Sequence, residues 1–68
     1  MSVTSTYTVT GMTCGHCVSS VTEELTAVDG VTDVDVRLDS GAVTVTSSRE
    51  LSRDEVREAV TEAGYQLA

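Results

Sequence analysis

Residues 31–46, VTDVDVRLDSGAVTVT, decide the fold of this chain. Apolar residues occupy alternate positions in both halves of the stretch: Val34, Val36, Leu38, Val43 and Val45. This alternation with charged or threonine residues is typical of half-buried strands. Between the two halves, Asp39-Ser40-Gly41 predicts a short hairpin loop in which the glycine supplies a positive φ. The centre of the chain is therefore predicted to be an antiparallel hairpin, with Leu38 on its buried face.

Helical patterns flank this hairpin on both sides. Before it, apolar residues recur at steps of three and four, namely Val18, Val21, Leu25 and Val28. Gly30 follows at the place expected for the glycine that ends a helix. After the hairpin, Ser52 and Glu55 form the S-x-x-E pattern of a capping box. The second helix is predicted to end at Gly64 and to bury Val56, Ala59, Val60 and Ala63.

Strand patterns occupy the two ends of the chain. Residues 5–10, STYTVT, place Tyr7 and Val9 on one face, and residues 65–68, YQLA, form a short final strand. The order β-α-β-β-α-β predicts an α+β, ferredoxin-like fold. We expect a four-stranded antiparallel sheet covered on one face by the two helices, in a single domain over residues 1–68.

Charge and composition exclude several classes of function. Eleven acidic residues face four arginines and no lysine, for a formal net charge of −7, which disfavours nucleic acid and anionic membrane surfaces. No stretch is long enough to cross a membrane, and MSVTSTYTV does not resemble a signal peptide, so a cytoplasmic location is expected. A chain of 68 residues leaves little room for a deep substrate pocket, so we do not expect an enzyme.

The chemistry of the chain is concentrated in residues 11–17, GMTCGHC, which hold both cysteines, the single histidine and one of two methionines. The predicted elements place Cys14 in the loop before the first helix and Cys17 at the helix start. Backbone N–H groups and the helix dipole favour thiolates there. In the cytosol such a pair is more often metal-binding or redox-active than a structural disulfide.

Two thiolates suit the soft ions Cu(I), Ag(I) and Hg(II). A structural zinc site normally has four protein ligands, so zinc would have to recruit water or a second molecule. We expect His16 to project away from the cysteine pair, where it would tune the site or reach copper in a dimer. Met12 is expected to be core rather than a ligand. Tyr65 is expected to be half-buried, with its hydroxyl near the metal loop.

A thiol–disulfide oxidoreductase is the alternative from another class, because C-x-x-C at a helix start is also the redox arrangement. Thioredoxin-like sites set a cis-proline opposite the cysteines, and this chain contains no proline. The pattern therefore favours metal binding over redox catalysis.

GMTCGHC, followed by Val21 and Leu25 in the first helix and Gly64-Tyr65 near the end, resembles the heavy-metal-associated domain family. The resemblance covers essentially the whole chain. It implies one Cu(I) ion per monomer bound by Cys14 and Cys17, with Met12 packed beneath the loop. The histidine between the two cysteines, His16, and the tyrosine after the glycine, Tyr65, resemble the residues at these places in the bacterial chaperone subgroup.

The resemblance also implies a partner. A cytosolic copper chaperone would pass Cu(I) by thiolate exchange to a metal-binding domain of a copper-transporting P-type ATPase. The limits of the sequence suggest a free-standing chaperone, although an N-terminal ATPase module would look the same. Mercury-binding relatives share the motif but carry signal peptides. A copper-bridged homodimer is a further expectation.

Overall fold

The fold was analysed in a computed structural model that describes residues 2–13 and 15–68. Its elements are β1 (Val3–Thr10), α1 (Gly15–Thr26), β2 (Val31–Arg37), β3 (Ala42–Ser47), α2 (Arg53–Glu62) and β4 (Gln66–Leu67). The four strands form one sheet in the order β2-β3-β1-β4, and every neighbouring pair is antiparallel. This topology confirms the predicted ferredoxin-like fold.

The register of the sheet brings the predicted apolar positions together. Tyr7 lies opposite Val43, and Val43 in turn lies opposite Val36 on the other side. Because side chains alternate along a strand, this register puts the apolar residues of β1, β2 and β3 on one face. The opposite face presents threonines from β1 and β3, and Thr6 Oγ1 lies 3.4 Å from Thr44 Oγ1.

The core lies between the apolar sheet face and the two helices. Its fully or nearly fully buried members are Val9, Val21, Leu25, Val43, Val45, Val56, Ala59 and Val60. All are aliphatic, as a chain without Trp or Phe requires. Burying a side chain of this size stabilises the fold by about 1.5–3 kcal/mol, so these contacts hold the helices on the sheet.

Both ends of α2 follow the sequence prediction. The Ser52 side chain accepts a hydrogen bond from the Glu55 N–H at 3.2 Å, and the Ser52 N–H donates to Glu55 Oε1 at 3.1 Å. At the other end, Gly64 has a φ of +95°, and its N–H donates to the Thr61 carbonyl. The Tyr65 N–H reaches back to the Val60 carbonyl, which completes a Schellman motif.

Two details of the prediction were wrong. Helix α1 ends at Thr26, so Val28 and Gly30 lie beyond it; the Val31 N–H donates to the Val28 carbonyl, in a turn that leads into β2. Leu38 is 39% exposed rather than buried. The Gly41 N–H donates to the Arg37 carbonyl, and this bond closes the hairpin one residue earlier than the alternation indicates. Leu38 therefore belongs to the turn.

Gly41 ties this hairpin to β1. Its carbonyl accepts a hydrogen bond from the Val9 N–H at 2.9 Å, and its φ is +75°. A Cβ built on Gly41 would lie 2.6 Å from the Val9 carbonyl oxygen, a distance that forces something to move. The hairpin therefore packs against β1 one residue before that strand ends.

Neither helix, over the residues that the structure describes, is long and apolar enough to cross a membrane.

Candidate metal centre

Cys17 occupies the first turn of α1 and is 5% exposed. Its Sγ accepts a hydrogen bond from the Thr13 N–H at 3.4 Å. The sulfur is therefore held by the helix on one side and by the approaching loop on the other. This agrees with the position that the sequence predicted for Cys17.

Cys14 lies outside the described residues. Its predicted place in the loop and its predicted role as the second metal ligand therefore stay predictions. Its neighbours Thr13 and Gly15 are described, and Gly15 is the first residue of α1. Cys17 lies within the first turn of α1.

Two features at the start of α1 would stabilise a thiolate at Cys17, while the burial of its sulfur opposes one. Helix α1 has no acidic residue in its first turn, so no carboxylate opposes a thiolate there. The positive end of the helix dipole and the Thr13 N–H both stabilise negative charge on the sulfur. A thiolate is the form that binds a soft metal ion or attacks a disulfide.

Met12 and His16 differ in their environment. Met12 is half-buried and packs against the core, as the sequence predicted. His16 is exposed in the first turn of α1. Over residues 2–13 and 15–68, no group of three or more His, Cys, Asp or Glu side chains is arranged to hold a metal ion. The described residues therefore offer Cys17 no ready cluster of additional ligands.

Tyr65 lies near the start of the loop, in the segment after α2. Its half-buried ring packs against the core, and a Cβ built on Gly11 would lie 3.5 Å from Tyr65 Cδ1. Gly11 has a φ of +92° and begins the loop that leads to the cysteines. The segment after α2 therefore lies close to the start of the loop. The predicted half-burial of Tyr65 is confirmed, and the predicted place of its hydroxyl near the loop stays a prediction.

Sequence reasoning missed two features of this region. It did not find the Thr13 N–H bond to Cys17, because a backbone donor leaves no signature in residue type. It also overlooked Gly11, whose positive φ turns the chain at the end of β1. A glycine directly after an alternating strand was the available signal for such a turn.

A ferredoxin-like domain with a cysteine anchored in the first turn of the helix at the first β-α connection is the architecture of a small metal-binding domain. The sequence matches the family described as heavy-metal-associated domain over residues 6–66. The chain belongs to the heavy-metal-associated domain family.

Named relatives agree with this assignment. The copper chaperone CopZ of Staphylococcus aureus (strain JH9) is 38% identical over 60 residues, covering 87% of this chain and 88% of the relative. A solved CopZ metallochaperone superposes with a TM-score of 0.89 at 34% identity, over 97% of this chain and 100% of that one. The copper-binding domain of HMA7, a P-type ATPase, gives 0.88 at 29% identity, over 100% and 92%. Both free chaperones and an ATPase domain are thus similar to this chain.

Proposed function

We propose that this protein is a cytoplasmic copper carrier rather than an enzyme. It binds one Cu(I) ion through Cys14 and Cys17 and delivers it to a metal-binding domain of a copper-transporting P-type ATPase. The observation that carries this proposal is the buried Cys17 sulfur, fixed at the start of α1 by the Thr13 N–H at 3.4 Å. Similarity to a copper chaperone and to an ATPase copper-binding domain supports the choice of metal.

The ligand set suits Cu(I). Thiolates are soft donors, and Cu(I) accepts two of them without a further ligand. Zinc would require additional ligands, and the described residues near Cys17 do not supply a cluster of them. His16 is exposed and Met12 packs against the core, so we propose that neither is a copper ligand in the monomer.

Transfer of Cu(I) to a partner is possible because the ion has only two ligands in the proposed site. An incoming partner thiolate forms a bond to Cu(I), one cysteine–copper bond breaks, and the released thiolate takes a proton from solvent; copper stays Cu(I) throughout. We expect Cys17 to leave last, because α1 and the Thr13 N–H hold its sulfur in place. The step is analogous to thiolate exchange at a disulfide sulfur.

The negative charge of the carrier indicates that its partner presents a positively charged surface. A net charge of −7 favours docking to a basic patch, and salt should weaken that docking by screening it.

Exposure of His16 also leaves it able to reach copper across a copper-bridged homodimer. Sedimentation of the copper-loaded protein tests this second point, since a monomer at all loadings would exclude the dimer.

Direct transfer is tested by mixing the Cu(I)-loaded protein with an ATPase metal-binding domain in the presence of a strong Cu(I) chelator. We expect copper to reach the domain faster than it reaches the chelator. The matched control is a domain whose own cysteines are replaced by serine, which should receive none. Equal rates for the domain and the chelator would mean that copper passes through solution, contrary to the proposal.

A further inference from the structure

The two edges of the sheet are protected to different degrees. The outer strand β2 carries Asp33, Asp35 and Arg37, and a register shift between Val31 and Asp33 interrupts its pairing with β3. Charged residues and bulges of this kind keep an edge strand from pairing with another chain. At the opposite edge, β4 is only two residues long, so it covers little of its neighbour β1.

Most of β1 is open on the side of β4. The β4 strand pairs with Val9 and Thr10, and the Ala68 N–H donates to the Thr8 carbonyl at 2.8 Å. In the described part of the chain, residues 3–7 have no partner strand on that side. The strand therefore has one fully paired side, against β3, and one that is free over five residues.

The open side presents backbone hydrogen-bonding groups. Backbone groups of a strand point alternately to its two sides. The Thr8 carbonyl points to β4, whereas the Val9 N–H donates to the Gly41 carbonyl on the side of β3. The N–H and C=O groups of Thr4 and Thr6 therefore point to the open side, and both residues are exposed.

This edge is complementary to a second copy of itself. In an antiparallel pair centred on Ser5, Thr4 of each copy lies opposite Thr6 of the other, so the open N–H and C=O groups of both residues are paired. Val3 then lies opposite Tyr7, which extends the apolar face of the sheet from one copy to the other. No residue of β1 is charged, so no like charges meet along the paired strands.

We propose that β1 is a dimerisation edge, through which two copies of this chain join their four-stranded sheets into one continuous sheet. The charged β2 strands then form both outer edges, so assembly stops at the dimer. The inference goes beyond the proposed function, because this contact needs neither copper nor a cysteine. It also differs from the copper-bridged dimer, which forms at the metal loop.

The net charge gives this dimer a characteristic dependence on salt. Each copy carries a charge of −7, and the repulsion between two copies opposes their association. Raising the ionic strength from about 0.01 M to about 1 M shortens the Debye length from roughly 30 Å to 3 Å and screens this repulsion. Salt should therefore strengthen the dimer, whereas it should weaken docking to a basic partner.

Sedimentation velocity tests the dimer with the full-length Cys14→Ser, Cys17→Ser chain, which rules out copper bridges and disulfides. We expect the average mass to rise from monomer towards dimer between micromolar and millimolar concentration, and to rise further at high salt. A chain that stays monomeric over the whole range at both salt concentrations overturns the proposal. So does a mass that grows past the dimer without limit.

A pair of variants at Thr6 tests whether the open backbone groups make the contact. Thr6→Pro removes an N–H that points away from β3, so the pairing within one copy loses no hydrogen bond. Two hydrogen bonds across the dimer are lost, and we expect association to weaken by about tenfold or more. Thr6→Ala, which keeps the N–H, is the matched control and should dimerise as the parent does. Equal dimerisation of the two variants overturns the proposed edge.

Cross-linking tests the register and does not depend on whether the proline variant folds. In the proposed pair the two copies of Ser5 face each other with Cα atoms about 4.5 Å apart, a distance that a disulfide can span. Ser5→Cys in the same cysteine-free chain should therefore oxidise to a covalent dimer about tenfold faster than Ser40→Cys, because the dimer raises the effective concentration of the thiols. Ser40 is exposed in the turn between β2 and β3. Equal rates of cross-linking overturn the proposed edge.

The outcomes separate this inference from the proposed function. A chain that binds Cu(I) but dimerises only when copper is present overturns the β1 dimer alone. A chain that dimerises through Ser5→Cys without metal but never binds Cu(I) overturns the proposed function and supports the dimer.

Discussion

Gly11, at the start of the candidate metal loop, lies close to Tyr65 in the segment that follows α2: a Cβ built on Gly11 would lie 3.5 Å from Tyr65 Cδ1. Tyr65 is itself held by the Schellman motif, through its N–H bond to the Val60 carbonyl at 3.1 Å. The start of the loop that leads into α1 therefore lies beside a ring whose backbone is fixed by the end of α2. A part of the sequence far from the cysteine motif thus lies beside the start of the candidate metal loop.

The first prediction concerns that ring. Tyr65→Ala should destabilise the protein by about 1–3 kcal/mol, less than a fully buried aromatic would, because the ring is half-buried. Tyr65→Phe keeps the ring and should lose less stability than Tyr65→Ala. Urea unfolding of the reduced, metal-free variants measures the difference. An alanine variant as stable as the phenylalanine variant would show that the ring does not support the loop.

The second prediction compares two glycines. Gly41→Ala combines a positive φ with a Cβ placed 2.6 Å from the Val9 carbonyl oxygen, so the hairpin or β1 must shift. Gly64→Ala also has a positive φ, but its Cβ would meet no atom within 4 Å. We expect a loss of about 1 kcal/mol for Gly64→Ala and clearly more for Gly41→Ala. Equal losses in thermal unfolding would contradict this assignment of the close contact.

The third prediction concerns acid. The pKa of Glu55 is lowered from its ordinary value of 4.5 to about 2, first by its hydrogen bond with Arg49 and then by the Ser52 N–H. A carboxylate with a lowered folded-state pKa stabilises the protein above its unfolded pKa and loses that contribution as it is protonated. Wild-type stability should therefore fall between about pH 4.5 and pH 2.

Glu55→Gln tests this assignment. The variant should be less stable than the wild type at pH 7. The difference in their free energies of unfolding should become smaller as the pH falls from about 4.5 to about 2. Glu50→Gln is the matched control, since it removes a neighbouring carboxylate that has no ion pair among the described residues and leaves the Arg49–Glu55 pair in place. If the difference in unfolding free energy between Glu55→Gln and the wild type stays constant from pH 7 to pH 2, protonation of Glu55 is not linked to stability.

The fourth prediction concerns redox turnover. The protein should not catalyse repeated reduction of insulin disulfides when a reductant is supplied. The sequence has no proline to form the cis-proline of a thioredoxin-like site, and we propose that its cysteines hold metal instead. Thioredoxin under the same conditions is the positive control. Multiple turnovers at a comparable rate would favour the oxidoreductase over the carrier.

Local patterns predicted most of this fold because each element carries its own signal. Alternation in residues 31–46 found the central hairpin, and the Ser52–Glu55 capping box located the start of α2 within one residue. The errors at Leu38 and Gly30 arose at turns. Hydrogen bonds such as that from the Gly41 N–H to the Arg37 carbonyl decide at which residue a strand or helix ends. Composition does not encode that choice.

The candidate site was predicted less completely than the fold. The motif found Cys17 at the helix start because residue type and spacing carry that information. The Thr13 N–H donor and the closeness of Gly11 to Tyr65 depend on how the loop folds, and only the structure supplies them. The role of Cys14 stays a prediction from the sequence.

The central claim is that Cys14 and Cys17 form a Cu(I) site, and an anaerobic titration of the reduced protein against a competing Cu(I) chelator tests it most directly. The wild type should take one Cu(I) per monomer, with much weaker binding of Zn(II). The Cys14→Ser, Cys17→Ser variant should lose orders of magnitude in affinity, while Met12→Leu, which alters only a residue packed against the core, should bind as the wild type does. Tight, unchanged Cu(I) binding by the double serine variant would contradict the account.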